Sequence, residues 1–144
     1  MGKFYEAVGC ELEIYVRHLA WLDAVQDESK LSRRAEFELD NNTAEAPECE
    51  AGYVLDYLFE LGVTMGDHPL THTELRAWMD NTGVELSAWE ARIIKTLSGA
   101  YLSMSHDAKK YDTETPWEYA PHYMSAKWRK AMRVKQSIRR AAEI

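Results

Sequence analysis

Two pairs of hydroxyl and carboxylate residues have the types and spacing that could do chemistry. In LTHTELRAWMDNTGVELSAWEARII, residues 70–94, Thr71 is followed three positions later by Glu74, and Ser87 by Glu90. A carboxylate beside a hydroxyl could act in acid–base catalysis. The same spacing is that of a helix capping box, in which the hydroxyl accepts a backbone N–H and the carboxylate reaches back to the cap residue. Each pair precedes a periodic apolar run, so capping accounts for both glutamates without catalysis.

The histidines do not form a metal-binding pattern. His68 and His72 are four residues apart. Pro69 and the cap residue Thr71 lie between them, so the pair cannot share a helix face as zinc-binding histidines do. GxSxG, P-loop and GxGxxG motifs are absent from the sequence. We therefore predict no catalytic residue, no metal and no cofactor, and we do not expect an enzyme.

The spacing of the apolar residues predicts the helices that carry those caps. Apolar positions three and four residues apart predict helices over residues 4–26, 53–61, 72–81, 88–106 and 123–141. A weaker helical pattern covers 31–39. Gly83 follows the third predicted helix, where a left-handed C-cap is favoured. The segment 40–52 combines turn formers and acidic residues without periodicity, which is typical of a linker or mobile loop.

The predicted fold class is all-α. We expect a small helical bundle of four to five helices with a basic C-terminal helix and negligible strand. The predicted core consists of Leu12, Leu19, Tyr57, Leu58, Leu75, Trp78, Trp89, Ile93 and Leu97.

Charge divides the chain into an acidic body and a basic tail. Residues 1–120 carry 10 Lys and Arg against 23 Asp and Glu, a charge of −13, whereas residues 121–144 carry 7 against 1, a charge of +6. The acidic body would repel nucleic acid, which could be met only through the tail. Two cysteines and the lack of a long apolar run at the N-terminus fit a soluble cytoplasmic chain. We predict an acidic helical domain over 1–111, followed over 112–144 by a hinge and the basic helix.

The basic tail has an amphipathic pattern with two open interpretations. Its apolar stripe is Met124, Trp128, Ala131, Val134, Ile138 and Ala141, and basic residues cover the remaining surface. The helix could fold back on the acidic body of its own chain. It could instead dock in a partner's groove, on an anionic membrane or on phosphates. Segment 111–121 would be the hinge in either case, and removing residues 121–144 should leave most of the helicity intact.

The sequence over residues 53–102 is more specific than that of a general helical domain. It reads YVLDYLFELGVTMGDHPLTHTELRAWMDNTGVELSAWEARIIKTLSGAYL and covers about a third of the chain. It resembles the tail assembly chaperones of tailed bacteriophages, which share an aromatic-rich hLDYhhELG helix followed by LTxxEhxAWxxxTGhELxxWEhxhhxxLsxAYL. The resemblance implies a protein without catalytic residues that binds the tape measure protein before the tail tube polymerises around it.

We therefore expect a tail assembly chaperone that acts in the host cell cytoplasm. Its expected partners are the tape measure protein or other tail proteins, a homo-oligomer is compatible with the sequence, and no membrane is involved. Candidate partner-binding residues are Tyr53, Tyr57, Trp78, Trp89, Tyr101, Trp128, Arg129 and Arg133. A small acidic body with aromatic edges suits a long helical partner that exposes apolar stripes.

Two alternatives remain open at the level of sequence. The chain could be a structural component of the virion tail or neck, with the basic helix anchored to neighbouring subunits or DNA. It could also be a helix-turn-helix protein, because two helices of suitable length flank a short turn at Gly83. In that arrangement the reading helix would begin SAWEARIIKT, which offers Arg92 and Lys95 but also Glu90 to the DNA.

Overall fold

The structure consists of six helices and one short hairpin. A computed structural model describes residues 2–143, and 63% of the chain is helical. The helices are α1 (Gly2–Asp23), α2 (Arg33–Leu39), α3 (Gly52–Leu61), α4 (His72–Thr82), α5 (Ala88–Asp107) and α6 (Ala126–Ala142). A 3-10 turn, His122–Met124, precedes α6. The fold is mostly helical, as predicted. The predicted number of four to five helices is corrected to six, because the weak pattern over 31–39 does form α2.

Local signals set the ends of the central helices. The Thr71 hydroxyl accepts the N–H of Glu74 at 3.4 Å where α4 begins, and the Ser87 hydroxyl accepts the N–H of Glu90 at 3.1 Å where α5 begins. The Glu90 carboxylate also accepts the Ser87 N–H at 2.8 Å, which completes a capping box. α4 stops at Gly83, whose φ of 75° lies in the left-handed region.

Loss of the cap hydroxyls should lower stability unequally. Ser87→Ala breaks a complete capping box and should reduce the free energy of unfolding by about 1–2 kcal/mol, whereas Thr71→Ala should cost about 0.5–1 kcal/mol. Urea denaturation measures both, and partner binding should survive both changes because the caps act on helix ends. Thr73→Ala, at an exposed non-cap position of α4, is the matched control. A loss at Thr73 as large as that at Ser87 would contradict the capping argument.

The first core joins α1, α3, α4 and α5. Its buried residues are Val8, Leu12, Val16, Val54, Leu55, Leu58, Leu70, Leu75, Ile94 and Leu97. α5 packs most extensively against α1 and also contacts α3, α4 and the hairpin, so it lies in the middle of this core. Among the predicted core residues, Leu12, Leu58, Leu75, Trp78 and Leu97 are buried, and Leu19, Tyr57, Trp89 and Ile93 are half-buried.

A short hairpin connects α3 to α4. Strand β1 (Thr64–Met65) pairs antiparallel with β2 (His68–Pro69). The Ser98 hydroxyl of α5 donates to the carbonyl oxygen of Val63 at 2.6 Å and accepts the N–H of Leu70 at 2.8 Å. One side chain of α5 thus holds both ends of the hairpin.

The second core attaches the C-terminal segment to the ends of α1, α2 and α5. Its buried residues are Trp21, Leu22, Phe37, Ala108, Tyr123 and Met124. Trp128 of α6 packs at its edge, with its ring centroid 5.8 Å from that of Phe37. The 3-10 turn and the first half of α6 are therefore packed parts of the fold.

Candidate partner-binding surfaces

Aromatic side chains from four helices lie together near the starts of α1, α3 and α5. We call this surface the aromatic face; it consists of Phe4, Tyr5, Tyr53, Tyr57, Trp78 and Trp89. Phe4, Tyr53 and Tyr5 are the most exposed, with 60%, 47% and 40% of their surface accessible, and Trp78 is buried beneath them at 9%. Three of the six rings are thus exposed on α1 and α3, and grouped exposed apolar surface of this kind marks interaction sites.

The rings of the aromatic face contact one another in two runs. Tyr5 lies 5.0 Å from Trp89 between ring centroids. Tyr57 lies 5.8 Å from Tyr53 and 5.2 Å from Trp78. Centroid distances in this range are those of favourable aromatic pairs. Four helices thus hold the rings in fixed positions.

Glu90 links the two runs electrostatically. Its carboxylate, already bonded to Ser87, also interacts with the hydroxyl of Tyr53. Partial burial and this carboxylate raise the pKa of Tyr53 to about 12, so the phenol stays protonated and can donate a hydrogen bond. Although burial acts in the opposite direction, the hydrogen bonds from Ser87 and Tyr53 lower the pKa of Glu90. The face therefore carries a fixed negative charge among its rings.

The remaining candidate residues from the sequence lie away from the aromatic face. Tyr101 is half-buried against the first core. Trp128 packs on the second core, and Arg129 is only 3% exposed. Arg133 forms an ion pair with Glu28 at 2.5 Å, and its guanidinium lies 4.4 Å from the ring centroid of Tyr111. Trp128, Arg129 and Arg133 hold α6 to the body of its own chain.

Two buried arginines lie over the ring of Trp21, a contact that the sequence analysis missed. The guanidinium carbons of Arg33 and Arg129 are 4.7 and 4.9 Å from the Trp21 ring centroid. Burial, and secondarily a neighbouring guanidinium, lowers the pKa of Arg33 to about 9 and that of Arg129 to about 10. Both therefore remain charged at neutral pH. Such cation–π contacts are strongest when the cation is desolvated.

Backbone carbonyls take the place of acidic partners for these arginines. Arg33 donates to the carbonyl oxygens of Trp21, Ala108 and Lys110 at 3.0, 2.7 and 2.7 Å. The first two lie where α1 and α5 end, and helix C-termini attract positive charge. Arg129 donates to the carbonyl oxygens of Tyr111 and Thr113. These bonds attach the start of the segment predicted as a hinge, 111–121, to α6.

His18 fastens two loops to α1. It is fully buried, with Nε2 2.7 Å from the carbonyl oxygen of Glu45 and Nδ1 3.3 Å from the hydroxyl of Thr115. Its ring stacks on Trp21 at 5.8 Å. Nε2 must carry the proton in order to donate to a carbonyl. The segment 40–52, predicted to be a linker or mobile loop, is therefore anchored at Glu45.

Acidification should weaken the fold through His18. Burial first, and Arg34 in addition, lower its folded pKa below 6.5, although the bond to Glu45 opposes the shift. Because the unfolded histidine has the higher pKa, this contribution to stability is complete above about pH 6.5. It is lost as the pH falls from there towards the folded pKa. The free energy of unfolding, measured by urea denaturation, should be lower at about pH 5.5 than at about pH 7.5. This decrease should be larger in the wild type than in His18→Gln. Equal losses in the two proteins would contradict the assignment to His18.

The sequence of this chain matches a known protein family. Residues 32–103, half of the 144 residues, match the family model described as phage tail assembly chaperone. The chain belongs to the phage tail assembly chaperone family. No curated protein and no solved structure matches it.

The matched residues of this tail assembly chaperone run from the start of α2 almost to the end of α5. They include Tyr53, Tyr57, Trp78 and Trp89 of the aromatic face, whereas Phe4 and Tyr5 precede them and α6 follows them. The family is non-catalytic. Within residues 2–143, no three His, Cys, Asp or Glu side chains are grouped closely enough to hold a metal ion. None of the helices of this same part of the chaperone is both long enough and apolar enough to cross a bilayer.

α5 of this chaperone has one exposed side, which includes Arg92, Thr96 and Ser103, and Arg92 is its cation. A recognition helix must present one face to the major groove. Here α1, α3, α4 and the hairpin all contact α5, and Ile94, Leu97, Ser98 and Ala100 are buried. Its first turn places Trp89 in the aromatic face beside the charged Glu90. The geometry therefore gives no support to the helix-turn-helix alternative.

Proposed function

We propose that this tail assembly chaperone binds the tape measure protein through the aromatic face during tail morphogenesis. The observation that carries the proposal is the group of six rings near the starts of α1, α3 and α5, of which Phe4, Tyr5 and Tyr53 are exposed. Four of the six rings lie within the residues that match the family. The proposed place of action is the host cell cytoplasm, before the tail is complete.

The chemistry of the aromatic face suits an amphipathic helical partner. Tyr and Trp give large apolar contact areas with little loss of side-chain freedom, and they dominate the energetics of many interfaces. An apolar stripe of a partner helix would pack on the rings of Phe4, Tyr5 and Tyr53. The Tyr53 hydroxyl and the Glu90 carboxylate would bond polar groups beside that stripe. The partner helix would lie on this face through its apolar side, as amphipathic helices do in other complexes.

Substitution of the exposed rings tests the proposal. Phe4→Ala and Tyr53→Ala should each weaken binding of co-expressed tape measure protein by about tenfold or more, because exposed anchors of an interface carry most of its affinity. The matched control is Tyr119→Ala, since Tyr119 is 81% exposed and makes no ring pair with the aromatic face. Isothermal titration with a purified tape measure fragment gives the Kd of each variant. Unchanged binding by both face variants, or an equal loss in Tyr119→Ala, would contradict the proposed face.

Mass spectrometry of purified virions separates this function from that of a structural tail or neck protein. The proposed chaperone co-purifies with the tape measure protein from infected cells and is missing from finished particles. Stoichiometric recovery of the chain from finished virions would instead support the structural component.

A further inference from the structure

The outward side of α6 is an apolar ridge that nothing in its own chain covers. Ala131, Val134, Ile138 and Ala141 follow one another at spacings of three and four, so they lie on one side of the helix. All four are exposed, Val134 to 53% and Ile138 to 64%. We call this side of the helix the α6 ridge. The apolar stripe predicted from the sequence is thus divided, because Met124 and Trp128 pack on the second core while the later positions face solvent.

Positive charge surrounds the α6 ridge. Lys127, Lys130 and Lys135 lie on the same side of the helix or at its borders, and all are exposed. A groove beside the ridge is bordered by Tyr111 and Glu28 of the body. The Glu28 carboxylate is paired with Arg133 at 2.5 Å, so it offsets little of the lysine charge.

The first half of α6 is anchored to the body, and the ridge from Val134 onward projects from this anchored half. Arg129 is bonded to the carbonyls of Tyr111 and Thr113, and Arg133 is bonded to Glu28 and to the side-chain oxygen of Gln26. The residues from Val134 onward make none of these contacts and are exposed on all sides. Because the ridge lies on a helix that runs to Ala142, a ligand that binds there meets a helix that is already formed.

We infer that the α6 ridge is a second docking surface, which binds an acidic amphipathic helix of a partner protein. An apolar stripe on that helix would cover Val134 and Ile138, and carboxylates beside the stripe would face Lys130 and Lys135. Helix-in-groove recognition uses this spacing of anchors at i, i+3, i+4 and i+7. The lysines at the border of the ridge favour a partner helix with negatively charged side chains. The inference does not depend on the aromatic face or on which tail protein that face binds.

A basic helix could instead bind duplex DNA or a membrane, and the α6 ridge suits neither of these ligands. Duplex DNA is bound mainly through contacts to its phosphates and sugars, whereas the middle of the ridge is the apolar row Ala131, Val134, Ile138 and Ala141. A membrane-surface helix needs large apolar side chains on its buried side. The ridge offers only one valine, one isoleucine and two alanines, whereas the nearest aromatic residue of α6, Trp128, is turned inward onto Phe37. A short, narrow apolar ridge with lysines at its border instead suits the apolar side of one helix of a partner protein.

Two designed peptides test the inference on the full chain. Both are about three heptads long with leucine at the a and d positions, and glutamate borders the leucine stripe in one and lysine in the other. The wild-type protein should bind the acidic peptide at least about tenfold more tightly than the basic one, and the preference should shrink as salt shortens the Debye length. Val134→Ser with Ile138→Ser should weaken acidic-peptide binding about tenfold. Lys130→Glu with Lys135→Glu should reverse the preference between the peptides.

Exposed positions elsewhere supply the matched controls. Lys3→Glu with Arg76→Glu makes the same change of charge on α1 and α4 and should leave the peptide preference intact. Leu39→Ser removes an apolar side chain that is 72% exposed on α2, at the cleft between α2 and the inner side of α6, and it too should bind as the wild type does.

Three results would overturn the inference. The first is equal affinity of the wild type for both peptides, including no binding of either. The second is that the ridge variants bind the acidic peptide as tightly as the wild type does. A loss of affinity in Leu39→Ser as large as that in the ridge variants would count equally against the inference. The third is retention on duplex DNA or on phosphatidylserine vesicles that depends on Val134 and Ile138 while the acidic peptide does not bind. All substituted side chains are exposed, so thermal melting should be unchanged and the results report binding alone.

Discussion

Replacing Arg33 with methionine should lower the free energy of unfolding by about 3 kcal/mol or more. Methionine fills much of the same space but leaves the carbonyl oxygens of Trp21 and Ala108 without this donor. The carbonyl oxygen of Lys110 loses one of two donors, because it keeps the N–H of Thr113 at 3.2 Å. A hydrogen bond to a charged group contributes about 1.5–3 kcal/mol, and an unsatisfied buried acceptor costs about 1–3 kcal/mol. The substitution also removes the guanidinium from the ring of Trp21. Urea denaturation followed by tryptophan fluorescence measures the change.

The adjacent arginine provides a control with the same chemistry on the surface. Arg34 pairs with Asp23 at 2.7 Å, and both side chains are more than a third accessible. Exposed ion pairs contribute about 0–1 kcal/mol, so Arg34→Met should be nearly neutral. Arg33→Lys should destabilise almost as much as Arg33→Met, because one ammonium group cannot reproduce the planar fork that reaches three carbonyls. A stability loss at Arg34 that matched the loss at Arg33 would contradict the role assigned to the buried guanidinium.

The positions of the helices were predictable because their signals are local. Capping by Thr71 and Ser87 and the left-handed stop at Gly83 act within one turn of the helix that they delimit. For this reason α4 and α5 begin and end within one residue of the predicted bounds. α1 ends at Asp23 rather than at residue 26, because the Gln26 N–H turns to the carbonyl oxygen of Leu31. That bond belongs to the link to α2, which the apolar spacing does not encode.

The anchorage of the C-terminal segment was not predictable from pattern. Arg33 stands in a polar stretch and reads as a surface residue, since arginine is rarely fully buried. Its acceptors at positions 108 and 110 are more than seventy residues away. Trp21 lies beside the apolar seam Val8–Leu12–Tyr15–Leu19–Leu22 rather than on it. Arg33 and Trp21 are buried by contacts between segments that are distant in the sequence. The spacing of apolar residues along a helix does not predict such contacts.

The aromatic face was predicted in part. Tyr53, Tyr57, Trp78 and Trp89 were candidates from the sequence, and the fold brings them together because α3, α4 and α5 surround one core. Phe4 and Tyr5 were missed. No signal in the sequence marks them as exposed, because Phe4 and Tyr5 lie four and three residues before Val8 and fit the apolar spacing of α1. The structure nevertheless leaves 60% of Phe4 and 40% of Tyr5 accessible.

Deleting residues 121–144 should lower the free energy of unfolding by about 5 kcal/mol or more. The sequence alone predicted that this deletion would spare most of the helicity, and the second core changes that expectation. Met124 is fully buried and Tyr123 is 9% exposed. Burial of such a side chain contributes about 1.5–3 kcal/mol, and the bonds of Arg129 to two carbonyls contribute a similar amount. Because a domain of this size has about 5–15 kcal/mol of stability in total, the truncated chain should be largely unfolded at 37 °C.

A shorter truncation separates the packed half of α6 from its exposed half. Deleting residues 138–144 removes Ile138 and two arginines of the projecting end but keeps Met124, Arg129 and Arg133 in place. The side chains of residues 138–143, the part of the deleted segment that the structure describes, are exposed. The free energy of unfolding from urea denaturation should therefore change by less than about 1 kcal/mol. Circular dichroism should show the loss of about two helical turns at most. If the short truncation destabilised the protein as much as the long one, the end of α6 would contribute to the fold itself. Its exposed ridge would then lose its separate role in binding.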